Sequence, residues 1–155
     1  MWTIMDGPLP LQYALTTLKF GFTGGRAKRP MDAKWQWIGA INGFLAVAAG
    51  AFGAHFLKNR LSAFDLATFE TAARYQIYHA LALLAVSALA HTRPSATVTA
   101  SGWCMLFGTT LFSGSLYGLT LGGWKWLGPI TPLGGLLLLA GWLLLAVAAC
   151  VAPRG

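Results

Sequence analysis

Four stretches of this chain run free of charge over about the length a helix needs to cross hydrocarbon. They lie at about Trp35–Leu57, Tyr75–Ala90, Trp103–Leu121 and Pro132–Val151, each close to the roughly 20 residues required at 1.5 Å rise per residue. A backbone amide left unpaired in hydrocarbon costs several kcal/mol, so a spanning segment must bond its own amides as a helix or close into a barrel. None of the four alternates polar with apolar residues, which disfavours a barrel strand. Composition agrees: of 155 residues 56% are apolar and 10% charged, against roughly 25% charged in ordinary soluble domains. Eleven Lys/Arg and four Asp/Glu are too few for a water-facing shell. The expected fold is all-α: an integral membrane four-helix bundle.

The punctuation between spans is specific. Trp35 and Trp37 stand at one end of span one, where indoles favour the head-group layer, and Lys58 and Arg60 close the other. From Leu61 to about Gln76, Leu66, Phe69, Ala73 and Ile77 fall at helical spacing. Ser62 with Asp65 resembles a capping box, and Glu70 with Arg74 is spaced as an i,i+4 ion pair. This segment reads as an amphipathic interfacial helix between spans one and two. Span two ends near His91-Thr92-Arg93-Pro94. Trp124, Lys125 and Trp126 mark an interface after span three, and Thr131-Pro132 reads as a cap and first turn for span four.

Residues 1–34 form a separate, basic, flexible extension before a membrane domain over 35–151. Leu11–Phe22 is too short to span, and its cations follow the apolar stretch, unlike a signal peptide. Met31 is a candidate late start. Much of the net charge of +7 gathers here, at Lys19, Arg26, Lys28, Arg29 and Lys34. No basic stripe interleaved with aromatics follows, so the cations point to anionic lipid and not to nucleic acid. With an even number of spans, this cluster shares a side with Arg93 and Arg154, opposite Lys58, Arg60, Arg74 and Lys125. That asymmetry places both termini in the cytoplasm.

Small residues four apart form smooth helix faces. Gly39 and Gly43, continued by Ala46, Gly50 and Ala54, do so in span one, and Gly114, Gly118 and Gly122 in span three. Such faces let a second backbone approach closely. Asn42, Tyr75, Gln76, Tyr78, His79, Ser113, Ser115 and Tyr117 would be costly facing lipid and are expected inside, bonding between helices. No Asp or Glu lies in the middle of a span. His55 and His79 are weak candidates for the axial ligands of a b-type haem, disfavoured because they start at different depths. Cys104 and Cys150 have neither zinc nor redox spacing and read as small apolar residues. No catalytic signature is present.

Four segments carry a resemblance: GAFGAHFL (50–57), YQIYHALALL (75–84), LFSGSLYGLTL (111–121) and LGPITPLGGLLLLAGW (127–142). Together the chain resembles, over roughly Met31–Val151, the family called domain of unknown function 423, which includes small bacterial inner-membrane proteins and the eukaryotic transmembrane protein 256. The resemblance implies a four-span helical membrane protein and brings no catalytic residues. His55, Tyr75, Gln76, His79, Ser113, Ser115, Thr131 and Pro132 fall on its motif positions, and the N-terminal extension departs from its usual form. The functional expectation is a non-enzymatic accessory or scaffold protein of a bacterial inner membrane. It would need no cofactor and would contact lipid and either its own copies or a larger membrane complex. The alternatives are a pathway for a small solute or proton and, behind it, haem or quinone binding.

Overall fold

The computed structural model describes residues 33–151, and every regular element among them is helical. Of the N-terminal extension only Ala33 and Lys34 fall within this range; the remainder, with Met31 and Arg154, lies outside the described residues. Helix α1 (Ala33–Phe52) closes in a π-helical turn, Gly53–Leu57. Helices α2 (Ala63–Thr92) and α3 (Ala96–Gly122) follow, then a 3₁₀ turn, Lys125–Leu127, and α4 (Ile130–Cys150). Consecutive helices pack as neighbours: α1 on α2, α2 on α3, α3 on α4.

The interfacial helix expected before span two is not a separate element. It is the first half of α2, which runs unbroken for 30 residues, about 45 Å at helical rise. From Ala63 to Ala90 there is no glycine or proline to break it. Its start is fixed at Ser62, whose Oγ accepts the Asp65 N–H at 3.1 Å and donates to the Asp65 carboxylate at 2.7 Å. Since α2 exceeds the ~30 Å hydrocarbon thickness, its charged first turns reach the head-group region. Glu70 and Arg74 are both exposed there, and no ion pair joins them.

By length and composition, Ala33–Leu57, Ala96–Gly122 and Lys125–Cys150 are apolar enough to cross a membrane. α2 is not among them; it packs between α1 and α3, as α3 packs between α2 and α4. Its polar residues Gln76, His79 and Ser87 lower its hydropathy, and all three are buried, which lets a membrane helix tolerate them.

The tightest seam joins α3 to α4. Ser101, Gly108 and Ser115 lie seven apart on α3, Gly134, Gly141 and Ala148 seven apart on α4, and all six are buried. A seven-residue period keeps one stripe facing its partner along two supercoiled helices. A Cβ on Gly108 would stand 2.9 Å from the Leu138 backbone nitrogen, one on Gly141 2.8 Å from Met105 Cγ, and one on Gly134 would overlap the Phe112 backbone. Between α1 and α2, Gly39 lies against Leu84 and Ala80, Gly43 more loosely against Ala80 and Ile77, and Gly53 against the Phe69 ring.

The run expected on α3 behaves differently. A Cβ on Gly114 would meet nothing within 4 Å, while Gly118 and Gly122 receive Leu127 and Trp124 from the α3–α4 connection instead of another helix. The connection folds back because Gly123 takes φ 65°, a left-handed helix end that glycine adopts without strain. Gly50 is likewise open.

Trp35 also departs from expectation. It is fully buried, with its indole flat on Gly102 and edge-to-face with Trp103 at 5.1 Å, while Trp37 is 69% exposed. Trp35, Leu83, Val86, Val98 and Met105 form the core at this end of the bundle.

Gly134→Val is expected to destabilise the fold by about 1–3 kcal/mol through overpacking. Gly135→Ala, whose Cβ would sit 3.8 Å from the Phe112 ring, should be neutral or slightly stabilising. Denaturation midpoints in mixed detergent micelles, followed by circular dichroism, measure both.

Candidate functional site

Beside the Trp35 core, with Ala82 belonging to both, a cleft of about 1050 Å³ opens between α2 and α4. Tyr75, Tyr78 and His79 line it from α2, Phe112 forms part of its floor, and Pro132 to Trp142 line it from α4. Only about three turns of each helix border it, or about 15 Å at helical rise.

His79 and Trp142 tie the two walls. His79 Nδ1 lies 2.7 Å from the Tyr75 carbonyl one turn back. That oxygen can only accept, so Nδ1 carries the ring proton. The Trp142 indole N–H, which can only donate, reaches Nε2 at 3.1 Å. Both ring nitrogens are thereby used, and the imidazole is held as one neutral tautomer. Tyr75 stacks near this ring at 6.1 Å and tilts against Phe112 at 4.6 Å.

The other polar side chains act as fasteners. Tyr117 donates to Gln76 Oε1 at 2.8 Å, and Ser113 donates to the Ala72 carbonyl at 2.9 Å, both joining α3 to α2. Ser115 shares a 2.7 Å bond with Thr131 and Ser101 donates to the Gly141 carbonyl at 2.8 Å, joining α3 to α4. Thr131 is thus inside the first turn of α4 and not its cap; Pro129 precedes the helix without a capping side chain. Asn42 bonds only its own helix, through Ile38, and Tyr78 is half-exposed in the cleft wall.

The structure does not bring His55 and His79 together. His55 is exposed in the π-helical turn, two residues past Gly53, which sits on Phe69. His79 is ten residues further along α2, about 15 Å away in depth. A haem iron needs both imidazoles on opposite faces of one ring, and His79 has no ring nitrogen to spare. Among the described residues no three His, Cys, Asp or Glu side chains cluster as metal ligands. Cys104 is half-buried and Cys150 exposed, both as free thiols.

Trp142 and Ser101 were not singled out from sequence. A lone indole amid the leucines of span four was the available signal for the first. The seven-residue spacing with Gly108 and Ser115 was the signal for the second.

A family model described as "Protein of unknown function (DUF423)" matches residues 49–135. The chain is 48% identical over 110 residues to a UPF0382 membrane protein of Staphylococcus saprophyticus, covering 71% of this chain and 91% of that one. It is 45% identical over 113 residues to the UPF0382 membrane protein YwdK of Bacillus subtilis, covering 72% and 92%. No solved structure matches. The match at 49–135 takes in the π-helical turn, all of α2 and α3, and the first turns of α4.

Trp142→Phe keeps a ring in place but removes the donor to His79. A double-mutant cycle with His79→Ala is expected to give a coupling of about 0.6–2 kcal/mol, the range for interhelical bonds in membranes, read from unfolding midpoints in detergent.

Proposed function

The chain belongs to the DUF423 family of membrane proteins, and on that premise we propose that it is a non-catalytic accessory or scaffold subunit. It associates within the bilayer with its own copies or with a larger complex. The observation that carries this reading is how its buried polar groups are used. His79, Gln76, Ser101, Ser113 and Ser115 all bond to backbone or to another side chain of the bundle. They hold helices at fixed spacing and are not free for acid–base work. A route for a small solute gains no support from this arrangement, because the cleft is walled mainly by hydrocarbon and aromatic side chains.

The surface for association is the lipid-facing side of α1 and α3. A shallow hollow of about 640 Å³ there is bordered by Ala48, Ala49 and Phe52 on one side and Leu121 on the other. Gly114, on the exposed side of α3, has nothing against it. Small residues facing lipid let a second backbone approach, which is how helices associate without a hydrophobic force between them.

We further place the protein in a bacterial plasma membrane with both termini cytoplasmic. Seven cations fall on the N-terminal side (Lys19, Arg26, Lys28, Arg29, Lys34, Arg93, Arg154) against four opposite (Lys58, Arg60, Arg74, Lys125).

Gly114→Leu separates association from folding, because the added side chain meets nothing within the bundle. Wild-type protein extracted in native-lipid particles is expected to run as an assembly or to carry a partner, and Gly114→Leu as a folded single copy. Native mass spectrometry reads both. A wild-type chain that is monodisperse and alone in those particles overturns the proposal.

A further inference from the structure

Phe112 and Pro132 line both the cleft between α2 and α4 and a neighbouring chamber. This chamber, toward the α1–α2 and α3–α4 connections, measures about 800 Å³ and is of different character. Asp65 and Thr68 line it from the first turns of α2, Lys125 from the 3₁₀ turn, and Thr131 from the start of α4. No ion pair joins Asp65 to Lys125. Asp65 accepts from Ser62, which leaves carboxylate lone pairs for another donor. The α4 helix begins near Lys125 with no side chain capping it; its Thr131 N–H bonds the Gly128 carbonyl and Pro132 has no N–H, so the Lys125 ammonium is the main attraction for an anion, with the helix dipole behind it.

We propose that this two-part cleft binds one phospholipid whose head group carries both a phosphate and an ammonium. The phosphate lies against Lys125 and the start of α4, the ammonium against Asp65, and one acyl chain runs along the slot past the His79–Trp142 bond. Three features fix this occupant. Opposite charges, with no ion pair between them or to any other described residue, line a chamber at the head of an apolar slot, which suits a zwitterionic amphiphile better than a helix. The slot is about 15 Å long, half the ~30 Å hydrocarbon thickness and so the depth of one leaflet. The charged chamber includes Lys125, which stands between the exposed Trp124 and Trp126, and these indoles mark the head-group level.

His79 and Trp142 then have a role beyond fastening. Their bond crosses the slot, whose α2 wall runs on past it to Ala82 and Ala85, and because both ring nitrogens are satisfied it offers the acyl chain no unpaired polar group. This site is on the side of α2 and α4, so it stands or falls separately from association through α1 and α3.

The test uses the full chain in lipid nanodiscs made of equal parts phosphatidylethanolamine and phosphatidylglycerol, with retained lipid counted by native mass spectrometry. Wild type is expected to keep one phosphatidylethanolamine. Gly135→Phe places a ring in the slot from a position with room for a Cβ. It should lower retention about tenfold, the effect of losing roughly 1.4 kcal/mol. Leu139→Trp, from the same wall, should do likewise.

Asp65→Asn should cut the preference over phosphatidylglycerol about three- to fivefold, the scale of one partly exposed ion pair. Lys125→Ala should weaken retention of both lipids, and Trp126→Ala, outside the cleft, should change neither. Equal retention by wild type and by folded, monodisperse groove variants overturns the proposal. So does an unchanged lipid preference in Asp65→Asn, or a second copy of the chain found in place of lipid. Should both groove variants misfold, the Asp65→Asn preference alone decides.

Discussion

In hydrocarbon no hydrophobic force draws one helix to another, because lipid tails are as apolar as leucine. Helices then hold together only where atoms touch closely or where a polar group finds its partner across the gap. The α3–α4 seam meets the first condition. Gly108, Gly134 and Gly141 let the partner backbone or its first side-chain atoms into space a Cβ would occupy. The hydroxyls of Ser101 and Ser115 meet the second condition on the same stripe. With this seam set, α2 is positioned by Ser113 and Tyr117 on α3, and α1 is positioned on α2 by Gly39, Gly43 and Gly53.

The two ends of the bundle are unlike for a related reason. At one end Trp35 is large enough to reach from α1 across to Gly102 of α3, and the core closes around it. Toward the other, His79 and Trp142 bond α2 to α4 across the cleft. A single 3.1 Å bond between two long side chains holds its helices further apart than glycine contact does, and a cleft follows. The residues matched by the family model begin at 49 and end at 135, so they cover the α2 wall, the Phe112 floor and the beginning of α4.

Several readings were legible in sequence because they rest on local chemistry. Ser62 with Asp65 announces a helix start whatever surrounds it, and it starts α2 here. Gly39 and Gly43 mark a packing face of α1. Other readings failed where the outcome depends on a neighbour. Leu61–Gln76 has the pattern of a surface helix, and the absence of glycine or proline up to Ala90 permits it to continue past Tyr75 without requiring it to. Gly114, Gly118 and Gly122 share the spacing of Gly39 and Gly43, but the loop, with Trp124 and Leu127, occupies the places of the last two. Trp35 and Trp37 are indistinguishable by type, and only the position of Gly102 decides which is buried.

By itself the sequence determined that this protein is a membrane-embedded, all-helical chain, because charge-free length and the need to pair every backbone amide are properties of each segment alone. Tertiary structure decided which helices are central, which glycines are contacts, and where the cleft opens. It also decided that His79 answers to Trp142 and not to His55. Those are relations between segments far apart in the chain, and their register is set by close contact that no single segment encodes.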